Sequence, residues 1–189
     1  RRGDVHRRRE AAQTAGWTRQ AVSRDSKQPF DAPEPGEDAR RVGRGRQWGT
    51  AVHRVLEARG RGRTGDSLER FALAVAKEEG VEDDLAGLLA IVDRLQAAGA
   101  WDGDAPTLVE APLAQLVQQD GLVAVREGVI DAARFVDGRW LVTDWKTDLV
   151  GDEPDPRREM YQRQVESYAA MLRGVLGVEA KGRLGELGN

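Results

Sequence analysis

The chain has 189 residues, 40% hydrophobic and 32% charged, with a net charge of −3 at pH 7 and no cysteine. That length suits one well-buried domain plus an arm. The missing cysteines exclude disulfides, thiolate zinc sites, cysteine nucleophiles and cysteine-ligated iron–sulfur clusters.

No apolar run approaches the ~20 residues of a membrane span, and the Arg-rich start lacks the apolar core of a signal peptide. The expected location is the cytoplasm. A chain that starts at Arg1 rather than Met also suggests a piece of something longer. Charge is unevenly placed: twelve basic and seven acidic residues fall in 1–48, a balance of +5, which leaves −8 on the rest. A basic arm on an acidic body suits a polyanionic partner, and equally a solvated tail.

Residues 1–43 read as that arm, basic and largely unstructured. Arg7–Ala12 offers one short helical stretch, and Pro29–Gly36 breaks any continuation. The glycines at 43, 45 and 49 have no strand before them, so they are not read as a phosphate loop. Residues 44–189 read as one domain. A helix is expected over Arg46–Arg59, with Trp48, Val52, Val55 and Leu56 at helical spacing and His53 at the border of the stripe. Gly49, one turn earlier, would permit close approach of another backbone. Helices at Ser67–Lys77 and Asp83–Ala98 read as a layer without chemistry.

Strands follow. Thr107–Val117 is strand-like, but Pro112 inside it demands an edge, a bulge or an interruption. Leu122–Val136 is long, with Gly128 its expected bend. Arg139–Lys146 completes a hairpin around Asp137-Gly138. Asp155 is a helix N-cap with Pro156 at the first helical position. That helix is expected to run to Leu172 on a stripe of Tyr161, Val165, Tyr168 and Leu172, with Gln164 and Tyr168 sharing a face. Gly177–Leu187 offers a last strand.

The hairpin carries the chemistry. A two-residue loop pairs Val136 with Arg139 and sets Asp131 opposite Asp144, with Lys146 on the same face. Opposed Cβ atoms lie about 5 Å apart, and like charges there destabilise a sheet. Trp140 and Val142 share the carboxylate face while Leu141 and Trp145 point away, so the strand should be covered on both sides. Two carboxylates and a lysine at the end of a buried sheet point to a site for Mg²⁺ or Mn²⁺, which prefer hard oxygen ligands. Lys146 would orient a water or stabilise charge on a phosphate. The alternative is a salt-bridge cluster. Glu110 and His53 are further candidates for the site, and Gln164 and Tyr168 for a phosphate or base. Solvent exposure or packing is the ordinary alternative for each.

Taken together, Gly49-x-x-x-His53, Glu110-x-Pro112, Gly128-x-Ile130-Asp131, Asp144-x-Lys146-Thr147 and Gln164-x-x-x-Tyr168 closely resemble the RecB/AddA-type nuclease domain of the PD-(D/E)XK superfamily. The resemblance spans residues 44–187. It implies a restriction-endonuclease-like α/β core, a mixed central sheet flanked by helices, with an extra N-terminal helical layer. The implied activity is metal-dependent hydrolysis of DNA phosphodiester bonds, exonuclease sooner than endonuclease, with Mg²⁺ as cofactor and Mn²⁺ as substitute. The implied setting is the C-terminal nuclease module of a helicase–nuclease in DNA end processing and recombinational repair, with DNA and a helicase domain as partners. Asp131 and Asp144 would be the metal carboxylates, with His53 and the Trp145 backbone carbonyl as further ligands. Lys146 would be the catalytic lysine and Glu110 a carboxylate near the site. Gln164 and Tyr168 would support the site or contact DNA. Ile130 stands at the nominal proline position, and the second acid is Asp rather than Glu; neither change removes a ligand. Relatives that hold an iron–sulfur cluster on four cysteines are excluded. A non-catalytic DNA-binding or structural module of the same fold is the other reading.

Overall fold

The computed structural model describes residues 18–22, 45–119, 122–149 and 155–187. In chain order the elements are β1 (Thr18–Ala21), α1 (Gly45–Gly60), α2 (Gly65–Glu79), a short 3-10 turn (Glu82–Asp84) and α3 (Leu85–Ala97). Then come β2 (Thr107–Gln119), β3 (Leu122–Val136), β4 (Arg139–Lys146), α4 (Pro156–Leu176) and β5 (Ala180–Glu186).

β3 organises a five-stranded mixed sheet. One edge pairs antiparallel with β2, from Thr107 against Arg134 to Gln119 against Leu122. The other edge is shared: β1 runs parallel along residues 124–127, and β4 runs antiparallel along 132–136. β5 joins the far side of β4 in parallel. The β3–β4 loop is Asp137-Gly138, with φ of 52° and 77°. Two positive φ angles match the right-handed twist of the strands, and Gly138 carries its own without a Cβ clash. Register follows as the loop length demands, from Val136–Arg139 to Ala132–Thr143. Pro112 lies on β2, an edge strand whose outward positions give up no ladder bond.

Helices cover both faces. α1, α2 and α3 bury Val52, Val55, Leu68, Val75 and Leu88 in a cluster that Trp145 joins from the sheet. α4 buries Val165, Met171 and Leu172 against Ile130, Ala133 and Val142. Each such aliphatic side chain contributes about 1.5–3 kcal/mol when removed from water, and apolar residues on both faces of β4 make that double burial possible. No described helix is long and apolar enough to cross a membrane.

Two expectations change, and Gly128 takes on a further role. Residues 18–21, within the arm expected to lack structure, form β1, and Val22 beside them is buried in the α4-side core. Here β3 leaves a free edge beyond the end of β4, and a short strand fills it. The rest of the arm lies outside the described residues. Gly128 does not end or offset the pairing of β3, which continues through it against Leu113. Its missing side chain seats Tyr168: a Cβ there would lie 2.4 Å from the ring. α4 also runs one turn past Leu172, to Leu176, and closes on Gly177 in the left-handed region.

Candidate metal centre

The β3–β4 ladder stops one pair short of the two aspartates. Asp131 Oδ2 accepts from the Trp145 backbone N–H at 2.7 Å. A continued ladder would send that N–H to the carbonyl of Ile130, so the carboxylate replaces a backbone acceptor. Across the other edge, Glu110 drops out of the β2–β3 register between Val109 and Ala111. Its φ is 46°, and among the described non-glycine residues only the turn residue Asp137 shares that region. Such backbone strain costs on the order of 1 kcal/mol and persists where surrounding structure enforces it.

Glu110, Asp131 and His53 from α1 converge, with ligand atoms all within 4.8 Å of one another. His53 Nε2 lies 3.2 Å from the Trp145 carbonyl. A carbonyl accepts only, so this contact selects the Nε2–H tautomer. The Nδ1 lone pair then faces Asp131 Oδ1, 3.6 Å away. Burial lowers the His53 pKa, although Glu110 and Asp144 pull it upward. The neutral imidazole that results is the ligating form. Burial, followed by the charge of Asp144, pushes Asp131 up to about 7. Glu110 is raised by burial and then by Asp131. Carboxylates that resist ionising beside one another gain from a cation. A cavity of about 340 Å³, bordered by Gly49, Thr50 and Arg54 of α1, opens onto the three side chains.

Asp144 lies outside this trio but borders it, in side-chain hydrogen-bond contact with Asp131. It is 4% exposed, and its Oδ2 lies 2.7 Å from Lys146 Nζ. That approach is off hydrogen-bond geometry, so buried Oδ2 accepts no hydrogen bond. Lys146 donates to Gln164 Oε1 at 3.4 Å, and Gln164 Nε2 reaches the Tyr168 hydroxyl at 3.2 Å. The charge of Asp144 still acts on both Asp131 and His53.

The expected residues therefore divide. His53, Asp131 and Glu110 form one group; Asp144, Lys146, Gln164 and Tyr168 form the adjoining one. The Trp145 carbonyl, expected as a ligand, accepts from His53. Gly49 admits the Thr147 side chain rather than a backbone, with a Cβ position 3.3 Å from its hydroxyl. Three residues join the site beyond those expected there: Tyr161, expected only in the packing stripe of its helix, and Asp148 and Arg157, which meet it beside Lys146. The available signals were spacing alone. Tyr161 is three residues before Gln164, hence on its face, and Asp148 is two after Lys146.

One neutral imidazole and two carboxylates, with a third alongside, fit a hard divalent cation. The model of the PD-(D/E)XK nuclease superfamily matches residues 26–187. The chain belongs to that superfamily. Its mixed sheet between helical layers is the restriction-endonuclease-like α/β fold. Nucleases of the PD-(D/E)XK superfamily typically use divalent metals, and the trio is a group that could hold one. The crystal structure of SSO0001 is similar over 76% of this chain and 73% of that one, at 17% identity and a TM-score of 0.38. No curated protein matches the chain.

Proposed function

We propose that this domain is a Mg²⁺- or Mn²⁺-dependent deoxyribonuclease, the nuclease module of a RecB/AddA-like helicase–nuclease. In this reading it digests DNA from ends, as an exonuclease, in cytoplasmic recombinational repair. The convergence of His53, Glu110 and Asp131 beside the Asp144-Lys146 pair, within a nuclease-superfamily fold, carries it. His53, Asp131 and Glu110 would hold the cation, with Asp144 the adjacent carboxylate. Such a cation supplies Lewis-acid polarisation of the phosphoryl group and acidifies an attacking water.

The chain's own groups do the rest. Neutral His53 keeps its Nδ1 lone pair turned inward because Nε2–H is committed to the Trp145 carbonyl. Lys146 holds a fixed positive charge where negative charge builds on the phosphoryl oxygens. Asp144 and Gln164 restrict that ammonium to one position. Tyr168, anchored in the space left by Gly128, fixes Gln164 in turn.

The test is cleavage of linear single-stranded, linear double-stranded and circular DNA with Mg²⁺, Mn²⁺ or EDTA, repeated on Asp144→Ala and Lys146→Ala. Metal-dependent loss of linear DNA that both variants abolish supports the reading. Wild type and variants cleaving alike would sink it, and cutting of circles would replace exonuclease by endonuclease. DNA bound without cleavage, even with a helicase partner restored, would favour a gripping module. The acidic body implies weak, salt-sensitive DNA affinity, and an affinity indifferent to salt contradicts that.

A further inference from the structure

We infer that Tyr161 is a positioning residue for Lys146: its ring holds the ammonium from a third side, beside Asp144 and Gln164. The inference rests on the nuclease reading above and extends it to a residue outside the five motifs.

Three contacts define where Lys146 Nζ sits. Asp144 Oδ2 is 2.7 Å away, Gln164 Oε1 is 3.4 Å away, and the Tyr161 ring centroid is 4.5 Å away. The first two are oxygens and the third is a π face, each attractive to a cation. An ammonium within about 6 Å of an aromatic centroid is held by the ring quadrupole, more strongly as water is removed. The Lys146 side chain is 17% exposed, so water competes little.

The ring is itself held by a second set of contacts. Tyr161 donates its hydroxyl to Asp148 Oδ2 at 2.7 Å. Arg157 grips the same residue twice, donating to Asp148 Oδ2 and to the Asp148 backbone carbonyl at 2.8 Å each. Arg157 is anchored in turn by Asp155, the N-cap of α4, which accepts from the Arg157 backbone and side chain. Tyr161 thus ties the first turns of α4 to the residues that follow β4, with Lys146 beneath its face. Tyr161 packs as a plate over a cation, while the motif residues Gln164 and Tyr168 lie one and two turns further along the same helix. A tyrosine serving the core alone would need neither the charged neighbour nor the braced hydroxyl.

The experiment compares Tyr161→Leu, which removes the π face, with Tyr161→Phe, which keeps it and removes the hydroxyl. Thermal unfolding and circular dichroism first establish that both fold. The metal-free proteins, labelled at lysine, are then compared by NMR. The Lys146 side-chain protons should show an upfield ring-current shift in wild type and Tyr161→Phe that Tyr161→Leu lacks. With Mg²⁺ and linear DNA, Tyr161→Leu should lose roughly 5- to 30-fold in kcat, with KM for DNA within about twofold. Tyr161→Phe should restore most of that loss. Lys146 resonances indifferent to Tyr161→Leu, or a folded Tyr161→Leu with wild-type kcat, overturn the assignment alone. A loss equal in both variants also overturns it, because it would assign the effect to the hydroxyl. A wild type that does not cleave removes the nuclease reading and this assignment with it.

Discussion

The two halves of the site are built in opposite ways. On the α1 side, His53, Glu110 and Asp131 face one another, with Lys146 and Arg61 acting on them only at a distance, and Glu110 holds a strained backbone to be there. On the α4 side, Lys146 is satisfied three times over, by Asp144, Gln164 and the Tyr161 ring. The first half is electrostatically unfinished, with burial raising both of its carboxylates; the second is closed. A site that must accept a cation needs the first construction, because a trio already neutralised by a lysine would have no use for one. A site that must present a fixed charge needs the second. Trp145, the single residue between Asp144 and Lys146, braces the first half from within the second, offering its N–H to Asp131 and its carbonyl to His53.

The contrast is broken most sharply by activity. Asp131→Ala should abolish both cation binding and cleavage. Lys146→Ala should lower kcat by about 10²- to 10³-fold while cation affinity by calorimetry changes little. Equal loss of cation affinity in both variants would mean that the halves are not separate. The second effect is on stability in the absence of metal. Asp131 is raised from 3.8 to about 7, so between those values the folded state holds a proton that the unfolded state lacks. Its contribution to stability is fully present below pH 3.8 and lost as pH rises through 7. Asp131→Asn should therefore stabilise the domain relative to wild type at pH 8 by roughly 2–4 kcal/mol more than at pH 4. Urea titrations in EDTA at the two pH values read the difference, and Mg²⁺ should shrink it by stabilising wild type.

On the closed side the expected effects are smaller and steric. Gly128→Ala places a Cβ 2.4 Å from the Tyr168 ring, and should cost about 1–3 kcal/mol with no change in the pH dependence just described. A neutral outcome in thermal unfolding would show that the ring has room to move. The smallest effect returns to the strained residue. Glu110→Gly should be more stable than Glu110→Ala by about 1 kcal/mol, because glycine reaches a φ of 46° without penalty. In an ordinary strand position the order would be reversed.

Much of this molecule was legible in one dimension. The Asp137-Gly138 loop set the β3–β4 register residue by residue, since only a two-residue turn with positive φ joins twisted strands there. Apolar residues on both faces of β4 foretold its double cover, and Asp155-Pro156 marked the start of α4. The candidate residues were named by type and spacing, and all but the Trp145 carbonyl lie in one of the two groups facing across the sheet's end. What escaped was decided by contacts between elements distant in sequence. β1 depended on an edge of β3 left free beyond β4. The partition of ligands depended on the left-handed turn at Glu110, which strand periodicity has no way to express. The seat of Lys146 depended on how α4 packs, which brings Tyr161 over a side chain fifteen residues earlier. The residues and their register are local consequences of backbone sterics and hydrophobic alternation, and so are written in the sequence. Which carboxylate meets the histidine and which meets the lysine is set by helices closing on a finished sheet.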